Sequence, residues 1–142
     1  MIQICQKIRG EIILNHIEEA KIRNRCVVLT KMAEMFIKDD LVDRIFLVAD
    51  KMCKKKFGAD EFTAFACAVL RNVKEKTHAG LASRLVEEFL PDGMRGERVE
   101  AIFMEQLKMH SRVDNNKGVE SCARKWKKYA DKGLVKPLGG LN

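Results

Sequence analysis

Apolar residues recur at steps of three to five along almost the whole of this 142-residue chain. No segment alternates apolar and polar residues with period two over four or more positions between turn signals. A period near 3.6 places such residues on one face of a helix, whereas a half-buried strand needs strict alternation. The chain is therefore restricted to packed amphipathic helices.

The stripes predict seven helices. The first covers about 2–23, with Ile8, Ile12, Ile13, Ile17 and Ala20 on one face and Gly10 weakening it by roughly 1 kcal/mol relative to Ala. The second covers 26–38, with Val28, Leu29, Met32, Met35 and Phe36. Asp39 or Asp40 is expected to cap a third helix over 41–56, carrying Leu41, Val42, Ile45, Val48, Ala49 and Met52. Phe46 and Leu47 make that helix apolar on most sides, so it is expected to be central and buried, or to lie across a dimer. Basic residues before Gly58 give the usual helix stop. Asp60 or a neighbour then caps a fourth helix over 60–76, with Phe62, Phe65, Ala66, Val69 and Val73. A fifth over 79–90 carries Leu81, Ala82, Leu85, Val86 and Phe89 and ends at Pro91-Asp92-Gly93. A sixth over 95–110 carries Val99, Ile102, Phe103 and Leu107. Ser111 to Gly118 is expected to be a polar loop. A seventh helix over 118–132 carries Val119, Cys122, Ala123, Trp126 and Ala130, and Gly133 ends it. The expected fold is all-α: a compact bundle or a short helical-hairpin scaffold of six to seven helices joined by short loops. It would occupy residues 1–133, with an irregular tail over 134–142. Short loops are expected to make sequential helices antiparallel neighbours.

Apolar residues make up 46% of the chain, enough to offset the entropy of ordering, so intrinsic disorder is not expected. Charged residues interrupt the start too early for a secretory signal. The longest apolar run, Ile45 to Ala49, is far short of the roughly 20 residues of a membrane span. The five cysteines (Cys5, Cys26, Cys53, Cys67 and Cys122) form no CxxC and sit among apolar residues in helical register. They read as buried reduced thiols of a cytoplasmic or nuclear protein. His16, His78 and His110 are remote from any cysteine in sequence, so no metal site is expected. His110 reads as a helix-end residue and His78 as a turn residue. The chain lacks GxGxxG, a P-loop and GxSxG, so neither a cofactor nor an enzymatic activity is expected.

Charge carries the functional signal. The chain holds 27 Lys+Arg and 20 Asp+Glu, net +7. Residues 1–58 hold 12 basic and 8 acidic side chains, residues 59–110 hold 7 and 9, and residues 111–142 hold 8 and 3. The excess thus sits at the two ends, which would form one basic surface if they met in space. Three clusters produce it. Lys21, Arg23 and Arg25 join the first two helices. Lys54, Lys55 and Lys56, preceded by Lys51, close the third, where cations favour the helix dipole. Arg124, Lys125, Lys127, Lys128 and Lys132 lie on the last helix, with Arg112, Lys117 and Lys136 nearby, and Arg124, Lys128 and Lys132 repeat every four residues.

A stripe of lysine and arginine is the footprint of phosphate binding. The chain carries no RNP-like signature, KH loop or helix-turn-helix, and its seven Phe fall on apolar faces. Trp126 fits the core register. Tyr129, at the edge of that face, is the candidate for stacking on a base. The expected function is a small basic nucleic-acid-binding protein, RNA favoured over DNA, whose helical surface meets duplex backbone through phosphate and shape contacts. Arg124, Lys125, Lys127, Lys128 and Lys132 would make the main contacts, with Lys21, Arg23, Arg25, Lys54, Lys55 and Lys56 secondary. The alternative is a helical adaptor that binds a protein partner or a second copy of itself through a surface rich in the 7 methionines, such as Met32, Met35, Met52, Met104 and Met109.

Overall fold

Helix ends in this chain are set by a recurring piece of backbone chemistry. The computed structural model describes residues 22–138 apart from 56, with side chains from 24 onward. Among these residues there are six helices and no strand: α1 (Ile22–Lys38), α2 (Val42–Lys54), α3 (Ala59–Asn72), α4 (Lys76–Phe89), α5 (Glu97–Arg112) and α6 (Asn116–Asp131). The protein is a small all-α bundle. Up to residue 21 the helix expected over 2–23 lies outside the described residues, as do Cys5, His16, Lys21 and Lys56, while Ile22 and Arg23 belong to α1.

Three of the helices end in the same way. After α1, Leu41 N–H donates to Phe36 O at 2.7 Å and Asp40 N–H to Ile37 O at 3.2 Å. After α5, Asn115 N–H donates to His110 O and Asp114 N–H to Ser111 O. After α6, Leu134 N–H donates to Tyr129 O and Gly133 N–H to Ala130 O. The pivot residues Asp40, Asp114 and Gly133 all have positive φ (58°, 57° and 73°). This is the Schellman arrangement, which satisfies the last carbonyls and needs a left-handed residue. Asp adopts that conformation more readily than most non-glycine residues. Asp40 therefore closes α1 rather than capping α2. Leu41 holds the N-cap position of α2 and gives no side-chain bond.

Gly58 holds the N-cap position of α3, and the Glu61 carboxylate reaches back to accept from the Gly58 N–H. That bond gives the buried Glu61 side chain its partner. The polar loop expected over 111–118 shrinks to 113–115, because Ser111 and Arg112 finish α5 and Asn116 to Gly118 begin α6. The cause is Asn115, whose side chain accepts from the Gly118 N–H at 3.2 Å as an N-cap.

The order of packing differs from the simple succession of hairpins. The most extensive interfaces are α1 on α3 and α3 on α5, followed by α6 on α5 and α2 on α4. Helices therefore pair chiefly with the next but one, and α5 on α6 is the most extensive contact between sequential helices. The central element is α3, where every residue from Glu61 to Leu70 except Thr63 and Ala64 is buried. The helix expected to be central, α2, is peripheral: Leu47 is 38% exposed, and Phe46 is half-buried against Phe89 and under the Arg84 guanidinium. Its excess apolar surface is covered on one flank by α4 and the rest meets solvent.

The core is built on Leu29, Phe36, Ile45, Phe65, Leu70, Leu85, Ile102 and Phe103. Met32, Met52 and Met109 are buried with them, Met35 packs against them, and Met104 is 37% exposed. Met32, Met35, Met52 and Met109 fill gaps in the core, and Met104 meets solvent. The C-terminal ends of α3 and α5 are tied together by Arg112, whose guanidinium donates to Leu70 O at 2.8 Å and to Val73 O at 2.6 Å. Among the described residues no helix is long and apolar enough to cross a membrane.

If α3 is the centre and α2 the margin, truncation should separate them. Phe65→Ala should cost about 3–5 kcal/mol in urea denaturation, as buried Phe truncations do. Leu47→Ala should stay within about 0.5 kcal/mol of the parent. A Leu47→Ala cost equal to that of Phe65→Ala would contradict the placement of α2.

Candidate nucleic-acid interface

The seat of α6 on α5 begins with an aromatic cluster. The Phe103 ring lies 6.0 Å from Trp126 and 5.0 Å from Tyr129, the latter at 81° in a T-shaped contact. Trp126 is buried, and its indole N–H donates to Lys136 O at 2.7 Å. That bond draws the irregular segment after α6 back over the bundle. There Gly96 N–H donates to Leu134 O at 2.8 Å and Lys136 N–H donates to the Glu100 carboxylate at 3.0 Å. Trp126 therefore takes the core position its register implied. Tyr129 is half-buried and packed on Phe103, an anchor for the helix as well as a residue near its basic side.

With Trp126 inward, the cations of α6 point away from α5. At about 100° per residue, Arg124, Lys117, Lys128, Lys132 and Lys125 fall within an arc of about 100° on the side opposite Trp126. Arg124, Lys117, Lys128 and Lys132 are exposed, and Lys125 is half-buried at the edge. None of the five makes an ion pair with another described residue. Lys127 is also exposed but stands apart, because Glu120 and Asp131 fall between it and Arg124 on the helical wheel. The helix thus presents a narrower basic band than five consecutive-looking cations suggest, with an acidic strip along one margin.

The other two basic clusters are differently employed. Arg25 sits 5.4 Å over the Phe57 ring, and the Arg23 side chain and Lys21 lie outside the described residues. Lys54 pairs with Asp50 at 2.9 Å, and Lys55 is the half-buried C-cap residue of α2. Lys56 lies outside the described residues. Arg112, a neighbour of the α6 cluster in sequence, is spent on the carbonyls that end α3. The first two clusters adjoin where Arg25 lies over Phe57, and the third stands on α6 against α5.

Beside the α6 band lies a polar network that sequence reasoning missed. His110, expected at a helix end, is 4% exposed, with Nε2 2.8 Å from Ser83 Oγ and Nδ1 3.1 Å from the Asn115 side-chain nitrogen. The hydrogen atoms can be assigned from one fixed donor. Gly118 N–H must donate, so the Asn115 oxygen faces it and the Asn115 amide nitrogen faces His110. Nδ1 then accepts, Nε2 carries the proton, and Nε2–H donates to Ser83. A serine–histidine pair set up for nucleophilic attack needs the reverse, a histidine nitrogen that accepts from the hydroxyl. Burial pushes the His110 pKa below its ordinary value, which keeps the imidazole neutral in this arrangement.

The network also explains Gly118. A Cβ there would overlap the imidazole of His110 at Nδ1, Cγ and Cε1. The glycine is required by close approach rather than by a positive φ. Nearby, the Cys122 thiol is pushed up to about 11 by burial, with the Lys125 ammonium pulling it the other way. Cys67 is likewise buried and pushed up to about 11. Cys26 is half-buried and Cys53 exposed, against the expectation that all the cysteines are core residues.

A second tie, far from α6, uses another histidine. His78 Nε2 lies 2.7 Å from the Asp40 carboxylate, joining the α1–α2 turn to the start of α4. Asp40 thus serves both as the left-handed residue that ends α1 and as the partner of His78.

Two outcomes follow from the α5–α6 contact. Gly118→Ala should cost about 1–3 kcal/mol in chemical denaturation, the range for overpacking, and a cost below about 0.5 kcal/mol would contradict the contact. For His110, the unfolded imidazole takes up a proton near 6.5 while the folded one resists. The unfolded state binds more protons in that window, so stability rises with pH there and is lost as pH falls below about 6.5. The denaturation midpoint of the parent should therefore drop more between pH 7.5 and 5.5 than that of His110→Gln, and equal drops would count against a neutral buried His110. No protein-family model, curated protein or solved structure matches this chain.

Proposed function

We propose that this protein binds nucleic acid, RNA in preference to DNA, through electrostatic contacts between the α6 band and the phosphate backbone. The observation that carries this reading is the contrast among the basic clusters. Arg124, Lys117, Lys128, Lys132 and Lys125 share one side of one helix with no ion pair among the described residues, while Lys54 pairs with Asp50 at the surface and Arg112 bonds the carbonyls that end α3. Like charges held together on a helix repel one another at i,i+4, at a cost of a few tenths of a kcal/mol per pair. A polyanion would offset that repulsion and release counterions as it does so.

The band between Arg124 and Lys125 offers cations and the Ser121 hydroxyl, with no Asn or Gln side chain for reading adenine, and Arg124 is its one side chain with a bidentate fork. Such a surface is suited to backbone and shape, the mode in which RNA helices are met. Lys127, across its acidic neighbours, and Arg25 and Lys55 are outlying contacts in this reading, while Lys54, paired with Asp50, contributes little. Lys21, Arg23 and Lys56 belong to the same secondary group.

The test is a salt titration with single-stranded and duplex RNA and DNA. Log affinity should fall linearly with log salt, and Arg124→Ala and Lys128→Ala should each reduce the slope by about one, whereas Lys54→Ala should leave it nearly unchanged. No binding to any of the four probes at about 50 mM salt would overturn the proposal.

A further inference from the structure

A cleft of about 210 Å³ opens between α4, α5 and α6, immediately beside the basic band. Its walls include Ser83 and Glu87 from α4, Gln106 from α5, and Ser121 and Lys125 from α6. Lys125 belongs both to the cleft and to the band. At roughly 30 Å³ per water the space holds about seven waters, and it falls below the about 300 Å³ at which pockets for drug-sized ligands begin. One flat heterocycle fits such a space better than a peptide or a whole nucleotide.

The polar groups in the cleft are incompletely satisfied. Gln106 is 4% exposed, yet among the described residues its amide nitrogen reaches only Ser83 Oγ at 3.4 Å and its oxygen only the Cys122 thiol at 3.7 Å. The Cys122 hydrogen is also claimed by Phe103 O at 3.5 Å. Ser83 Oγ accepts from His110 Nε2–H and from Gln106, which uses both of its lone pairs and leaves its own hydrogen without an acceptor among the described residues. Buried polar groups ordinarily have firm partners. Here a carboxamide retains a donor and an acceptor and a hydroxyl retains a donor. The exposed Glu87 carboxylate adds an acceptor with no donating capacity.

We infer that this cleft takes a single unpaired nucleobase bearing an exocyclic amine (adenine, cytosine or guanine), while its phosphate rests on Lys125 and the adjoining band. The amine donates to Glu87 or to the Gln106 oxygen, and a ring nitrogen or carbonyl accepts from Ser83 or the Gln106 amide. Uracil donates only from the N3–H between its two carbonyls, and so sets carbonyl oxygens against the carboxylate when it pairs with it. This inference rests on the phosphate-binding reading of α6 and narrows it to a strand with an unpaired base at this point.

The experiment uses the whole chain labelled with ¹⁵N at low salt, titrated with adenosine, cytidine, guanosine and uridine 5′-monophosphates and with ribose 5-phosphate. The three amine-bearing nucleotides should bind about tenfold more tightly than uridine monophosphate or ribose 5-phosphate, the discrimination expected for one good pair of hydrogen bonds. The Gln106 side-chain amide and the backbone amides of Ser83 and Ser121 should shift. Glu87→Gln, a surface change that spares the core, should reduce the preference over uridine about tenfold while leaving the salt slope for duplex RNA unchanged. Equal binding of all five probes, with shifts confined to 124–132, overturns the base pocket and leaves the backbone reading standing. Discrimination among the nucleotides with no binding of any longer strand supports the pocket and overturns the backbone reading.

Discussion

The approach of Gly118 to the His110 imidazole is the contact on which the placement of the last helix depends. A side chain of any size at 118 would drive the start of α6 away from α5. With glycine there, the Asn115 cap, the buried histidine and Ser83 close into one network, and the helix leaves it at a fixed angle. Sixteen residues later the helix ends at Asp131, and the Trp126 indole holds the following segment against the bundle. Two anchors on one helix, one polar and one aromatic, fix its rotation. That rotation decides that Arg124, Lys128 and Lys132 meet solvent together.

Most of the fold was legible because it depends on local periodicity. All six described helices begin and end within four residues of their expected bounds. The order of packing was not legible. Each amphipathic stripe says that a helix buries a face, but not which helix it faces, so the central place fell to α3 rather than to α2. Phe46 and Leu47 made α2 look central, but apolar content records only that surface can be buried. In α3 the small residues Ala66, Cys67 and Ala68 allow neighbours to approach on several sides, which a count of large apolar residues overlooks.

The site was legible in part. The four-residue repeat of Arg124, Lys128 and Lys132 implied a shared surface because helix geometry is local. The interruption by Glu120 and Asp131 could have been read from the same wheel. The polar cluster could not, since Ser83, His110 and Asn115 are brought together across up to 32 positions of sequence by tertiary packing. Its one local signal was the glycine at 118, three residues beyond an asparagine, which marks a capped helix start but not a buried histidine beneath it. Arg112 likewise looked like one more surface cation until the ends of α3 and α5 met.

Lysine reactivity measures the central claim directly. Brief acetylation of the protein with and without RNA, read residue by residue by mass spectrometry, should show Lys117, Lys125, Lys128 and Lys132 protected together when RNA is present. Lys31, Lys54 and Lys108, each near a carboxylate on its own helix, should react alike in both samples. Uniform protection of all lysines, or protection centred on Lys54, would contradict an account in which α6 carries the interaction.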